Sequence, residues 1–178
     1  MPPAAIAQRL KALYPKPSID AEWLDACYGW VLEEYGLAPN DTDAIVTHVN
    51  TQFLASDLTD STIPGTGLPQ NVANLEDGRI ATGGAILVQI IAITDIGNSA
   101  FSLQNVRHTR IEKMDMAGLG EDVEEGRIPN YPRSMLRLEL SDGLITLQAF
   151  EYRRLPVLEL GVTPLGSKAR SPSRANRA

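Results

Sequence analysis

Two histidines, His48 and His108, stand sixty residues apart, and the single cysteine, Cys27, sits in an apolar stretch. A metal centre needs three or four His, Cys or carboxylate ligands brought close together, and no such spacing exists here. Cys27 has no base beside it to remove its proton and reads as core filler. Glu121, Asp122, Glu124 and Glu125 are dense enough to suggest an acid–base pair. Such a pair needs surroundings that push one carboxyl pKa upward, and a polar stretch supplies none, so these residues read as a solvated loop. Gly65-Thr66-Gly67 and Gly118-Leu119-Gly120 lack the lysine and the strand-to-helix setting of phosphate loops and read as turns. The chain therefore reads as no enzyme, with no catalytic residue, no metal and no cofactor.

What remains is surface for binding. Phe150 and Tyr152 fall opposite the leucines of a hairpin, where aromatic rings stack bases in proteins that bind single strands. Against that, aromatic residues make up 6% of the chain and the same face carries Glu139. The net charge is −6, yet Lys168, Arg170, Arg174 and Arg177 cluster at the end, so the body before them is more acidic still. An acidic body suits a phosphate backbone poorly, and contact with nucleic acid is expected to run mainly through a partner.

The elements that position these residues begin with helices. Residues 4–14 can form a short one, stopped by Pro15 and Pro17. Ser18 or Asp20 can cap a second, whose Trp23, Leu24, Cys27, Tyr28, Val31, Leu32 and Tyr35 recur at three-to-four spacing. Trp23 and Trp30 share a stripe and read as packing residues. Gly36 stands where a left-handed closing residue is wanted. A third helix starts at Asp41 or Thr42 with Ile45, Val49, Gln52 and Phe53 on one side. Residues 1–58 thus make a small amphipathic bundle that needs a further layer to pack on. Residues 59–84 are turn-rich and form a connector.

Residues 85–96, AILVQIIAITDI, are apolar on both faces and predict a strand covered on both sides or curling through a barrel. Gly97-Asn98 suggests a kink, with Phe101, Leu103 and Val106 continuing the strand. Residues 109–132 read as a long polar loop, of the kind that is functional or disordered. From Ser134 the chain reads SMLRLELSDGLITLQAFEY, a hairpin about Asp142-Gly143. That turn pairs Leu140 with Ile145, Leu138 with Leu147 and Leu136 with Ala149, with Arg137, Glu139, Thr146 and Gln148 on the other face. The class is α+β: a helical bundle, then a five-stranded OB-type barrel that spans 85–168 and is expected to lack its last two strands, then a disordered basic tail at 169–178. No stretch reads as a secretory signal or a membrane span, and one cysteine fits a reducing, intracellular setting.

WLDACYGWVLEE (23–34), FLASDL (53–58), AILVQIIAITDI (85–96) and SMLRLELSDGLITLQAFEYRRLPVLEL (134–160) resemble, in order, the amino-terminal region of the RecQ-mediated genome instability protein 1 family. The resemblance implies a nuclear, non-catalytic subunit that binds topoisomerase III beside a RecQ-family helicase. That complex promotes dissolution of double Holliday junctions in recombination and repair. It also implies that the loop at 109–132 reaches the topoisomerase's DNA gate, with Met114, Met116 and Leu119 as apolar anchors. The family's Leu-Thr-Asp-Leu stretch falls on Ala55-Ser56-Asp57-Leu58, so Asp57 and Leu58 become candidate topoisomerase contacts. The family's Gly-Thr-Lys falls on Gly166-Ser167-Lys168, which adds Lys168 to them; beyond it the pattern is lost. Two alternatives stand beside this: a stand-alone OB module binding single strands through Phe150 and Tyr152, and a related Tudor-domain scaffold of the same architecture.

Overall fold

A computed structural model describes residues 2–72, 84–117 and 128–170. Along the chain come α1 (Ala4–Leu13), α2 (Ala21–Tyr35), α3 (Thr42–Ala55), the single turn α4 (Leu58–Ser61), β1 (Leu87–Asp95), α5 (Ala100–Ala117), β2 (Leu136–Ser141), β3 (Thr146–Phe150) and β4 (Lys168–Arg170). The strands form one sheet in the order β3-β2-β1-β4. The chain divides into two compact units, residues 1–92, 139–148 and 165–178 in one and residues 93–138 and 149–164 in the other.

In the first unit the helices start and stop where their capping residues dictate. Asp20 accepts the Glu22 and Trp23 N–H groups at 2.9 Å to open α2, and Gly36 closes it in the left-handed region at φ +59°. Asp41 opens α3 by accepting the Ala44 N–H at 3.3 Å. Ile6 and Leu10 of α1, Leu24 and Val31 of α2, and Ile45 and Val49 of α3 form the buried bundle core. A second cluster, Phe53, Leu58 and Leu87, joins α3 and α4 to β1, and Tyr14 and Trp23 pack on it. This is the further layer that the small bundle requires. A third places Ile86 and Val88 against Leu68, with Leu140, Ile145, Leu147 and Ala169 packed around them. Residues alternate across a strand, so Leu87 faces the helices while Ile86 and Val88 face the hairpin. The run 85–90 is accordingly buried throughout.

The hairpin keeps its predicted faces but changes partners. Asp142 N–H donates to Ile145 O at 3.2 Å and Glu151 N–H to Leu136 O at 2.9 Å. These bonds set Leu140 opposite Leu147 and Leu138 opposite Ala149, two residues away from the register expected of an Asp142-Gly143 turn. The Asp142 carboxylate causes the shift. It accepts the Leu144 and Ile145 N–H groups at 3.0 and 2.7 Å and the Leu68 N–H at 2.5 Å, which makes Asp142 the turn's buried corner. Gly143 then takes φ +101° as a central residue, and a Cβ there would lie 2.6 Å from Leu58 O.

Four further expectations are corrected. Phe101, Leu103 and Val106 do not extend the strand, and residues 109–117 are not loop, because both stretches lie in α5. Ser99 Oγ accepts the Ser102 N–H at 3.1 Å and Ser99 O accepts the Leu103 N–H, which starts a run free of Gly and Pro and rich in Gln, Arg, Glu, Lys and Met. Within the expected connector, α4 forms and Leu68 and Val72 are buried. Finally, the sheet does reach a fourth strand: β4 pairs antiparallel with β1, setting Leu87, Val88 and Gln89 against Arg170, Ala169 and Lys168. Ala169 and Arg170 are therefore strand, not tail, and residues 171–178 lie outside the described residues.

Candidate interaction surface

Two of the candidate partner residues, Asp57 and Leu58, meet on the side chain of Gln89, and a third, Lys168, stands opposite Gln89 across the sheet. Gln89 is buried in β1. Its Nε2 donates to Asp57 Oδ1 at 2.9 Å, and its Oε1 accepts the Leu58 N–H at 3.1 Å. Asp57 also caps α4 through the Thr59 N–H at 2.8 Å. That backbone bond and then the Gln89 amide hold the Asp57 carboxyl below the usual carboxylate range, with a smaller pull from Lys168. Lys168, opposite Gln89 in β4, donates from Nζ to Ser56 O at 2.6 Å and Gly166 O at 2.8 Å. A cation on the last carbonyls of α3 also suits the negative end of the helix dipole. Burial lowers the Lys168 ammonium, and Asp57 opposes that.

These residues knit α3 and α4 to the β1–β4 edge. Leu58 is 0% exposed, so its role here is packing between Phe53 and Leu87 rather than contact with a partner. Asp57 is exposed and Lys168 half-buried. The signal for Gln89 was in the sequence: one amide inside an apolar run that is buried on both faces must find polar partners.

In the second unit an acid–base framework holds the segment leading into β2. Glu151 accepts from Arg133 through Oε1, from the Leu155 N–H, and at 3.3 Å from the Leu136 N–H. The Arg133 guanidinium, outweighing burial, holds the Glu151 carboxyl at about 2, and Arg133 is raised in turn. Asp95 accepts the Ser134 N–H at 2.6 Å and the Gly97 and Asn98 N–H groups. Burial works to raise the Asp95 carboxyl, and those bonds together outweigh it and leave it below its ordinary value. Arg110 fastens α5 to the same segment. It donates to Pro129 O at 2.8 Å, with its guanidinium 5.1 Å from the centre of the Tyr131 ring.

Met114, four residues beyond that anchor, is 60% exposed, and Phe101 and Ile111 on α5 are exposed as well. The side chain of Met116 and all of Leu119 lie outside the described residues, as do Glu121, Asp122, Glu124 and Glu125. Phe150 is 59% and Tyr152 91% exposed, and Arg153 stands 6.0 Å from the Tyr152 ring. The corrected register sets Arg137 opposite Phe150. Neither Arg137 nor Arg154 forms an ion pair among the described residues.

Two family models match this chain in sequence order: the RMI1 N-terminal helical domain over residues 10–61 and the RMI1 N-terminal OB-fold domain over residues 68–170. The chain is 28% identical over 143 residues to RecQ-mediated genome instability protein 1 of Danio rerio, covering 80% of this chain and 27% of that protein. It is 29% identical over 149 residues to the protein of the same name in Mus musculus, covering 80% of this chain and 22% of that protein. The Gallus gallus protein of that name is 29% identical over 143 residues. The chain thus spans about a quarter of the length of these relatives. With both models matched in order, and the OB-fold model alone spanning more than half of the sequence, the chain belongs to the RMI1 family and carries its N-terminal helical and OB-fold domains.

Proposed function

We propose that this chain is a nuclear, non-catalytic accessory subunit of a RecQ helicase–topoisomerase III complex, acting in the dissolution of double Holliday junctions. The relatives' name ties those proteins to RecQ-mediated genome instability. The observation that carries the reading is α5. Arg110 fixes the helix to the segment before β2, while Phe101, Ile111 and Met114 stay uncovered on it. Exposed apolar side chains on an anchored helix are what a protein partner buries, and Met adapts well to an irregular surface. In this reading the subunit acts by scaffolding: the barrel docks on the topoisomerase, and α5 with the residues that follow it biases the gate. Topoisomerase III should co-purify with the chain at moderate salt, and Phe101→Glu/Met114→Glu should weaken that association about tenfold or more. An unmodified chain that fails to co-purify, or a double variant that binds undiminished, would overturn the proposal.

A second reading, direct binding of single strands, is favoured by Phe150 and Tyr152 with Arg137, Arg153 and Arg154 around them. It predicts that a labelled oligo-dT binds more weakly as salt rises and that Phe150→Ala/Tyr152→Ala abolishes the binding. No binding at low salt would remove this reading.

A further inference from the structure

The two tryptophans of α2 take different roles. Trp23 packs edge-on to Phe53, ring centroids 5.6 Å apart, whereas Trp30 is 44% exposed. Trp23, Ala26, Cys27 and Trp30, at positions i, i+3, i+4 and i+7, form one wall of a mainly apolar groove of about 410 Å³, and Gln52, Ala55 and Ser56 toward the end of α3 line the other. Trp30 is held in place. Its ring meets Tyr35 edge-on at 5.9 Å, and Tyr35 in turn stacks on His48 at 3.8 Å. An aromatic wall already ordered loses little freedom when it is covered.

Charge identifies the occupant. Glu34 follows Trp30 by four residues and lies on the face of α2 that lines the groove, while Glu33 and Glu22, three residues after Trp30 and four before Ala26, flank that face on the Ala26 side. All three are exposed, and none forms an ion pair among the described residues. The ammonium of Lys168, which reaches the groove-lining Ser56, is engaged by the Ser56 and Gly166 carbonyls. We propose that this groove docks a cationic amphipathic helix of a partner protein. Its apolar stripe would lie between Trp23 and Trp30, and its lysines or arginines over the Trp30 ring and the Glu22, Glu33 and Glu34 carboxylates. Ala26 and Ala55 let its backbone come close. A nucleic-acid strand is repelled by the same carboxylates, as is a second copy of this acidic chain presenting the same face. This surface belongs to the helical domain and does not depend on the topoisomerase reading.

The test uses the full chain and a fluorescein-labelled peptide of about fifteen residues, made only of Leu and Lys with Leu at i, i+3, i+4 and i+7. A scrambled peptide of equal composition but no continuous apolar face is the control. The amphipathic peptide should bind about tenfold more tightly than the scramble and perturb tryptophan emission. Trp30→Ala should weaken it about tenfold. Glu33→Gln/Glu34→Gln should weaken it several-fold and flatten its salt dependence. Ala55→Trp, which fills the groove without touching the rim, should block it. Glu112→Gln/Asp115→Asn on α5 removes the same charge elsewhere and should leave binding unchanged. Equal binding of both peptides, indifference to Trp30→Ala and Ala55→Trp, or an equal loss from the α5 variant would overturn the proposal.

Discussion

Replacing Gln89 by Met keeps the volume of a buried side chain and removes both of its hydrogen bonds. The Leu58 N–H then loses its acceptor inside a residue that is 0% exposed, and a buried donor left unmade costs about 1–3 kcal/mol. The bond to Asp57 is charge-assisted, but Asp57 is exposed and recovers water, so that loss adds about 1 kcal/mol. The expected destabilisation is therefore about 2–4 kcal/mol, a large share of the ~5–15 kcal/mol that a domain commands. Urea unfolding followed by circular dichroism reads it directly as a lower midpoint at unchanged slope. Asp57→Ala should cost about 1 kcal/mol through the lost α4 cap. In the double variant the two effects should fall short of adding, because they share the Asp57–Gln89 bond. A Gln89→Met loss below about 0.5 kcal/mol, or full additivity with Asp57→Ala, would show that the amide does not tie α4 to the sheet.

The Glu151 carboxyl, held at about 2 in the folded chain against its ordinary 4.5, contributes stability that is complete above pH 4.5 and lost as the pH falls toward 2. Glu151→Gln should remove that part of the acid limb in urea midpoints taken from neutral pH downward, and should lower stability at neutral pH by leaving Arg133 buried without its partner. Asp95 and Asp57, both lowered, should keep a residual slope of the same sign. Gly29 sits inside α2 with open space where a Cβ would stand, so Gly29→Ala should stabilise by about 1 kcal/mol and raise Tm by about 2–4 °C; a lower Tm would contradict this. Gly143→Ala forces a left-handed φ on a side chain and drives its Cβ into Leu58 O, and should destabilise by more than about 1 kcal/mol in the same urea assay.

The helices of the bundle were legible because their signals are local. Asp20, Gly36 and Asp41 cap or close the helices beside them, and the apolar spacing between them needs no distant contact. Strand β1 was legible because a run apolar on both faces has to be covered on both. Helix α5 was not. Its apolar residues follow no single stripe and none of its described side chains is buried, so hydrophobic spacing carried no signal, and helix propensity with the Ser99 cap decided the outcome. The pairings of Gln89 and Arg133 were hidden for another reason. Their partners Asp57 and Glu151 are distant in sequence, and a polar residue in a strand or a loop does not announce which acid it will meet.

The hairpin separates what alternation fixes from what it leaves open. Moving the register by two residues returns every side chain to the same face, so the leucine face is insensitive to the choice. Turn chemistry does not decide either, since Gly143 can take a positive φ in the first or the second central position of a turn. The decision comes from the connector. The Leu68 N–H reaches the Asp142 carboxylate from 74 residues away, and that bond requires Asp142 at the buried corner rather than at the exposed tip. Once Asp142 is there, Gly143 lies against Leu58 O, and the turn, the connector and α4 hold one another. This accounts for the division among the candidate residues. Leu58, and with it the Gln89 side of Asp57 and the ammonium of Lys168, is claimed by internal packing and hydrogen bonds. Trp30, Met114, Phe150 and Tyr152 stay largely exposed. Binding to another molecule is what such side chains are free to do, so variants at these positions should separate binding from stability, while variants at Leu58 and Gln89 should not.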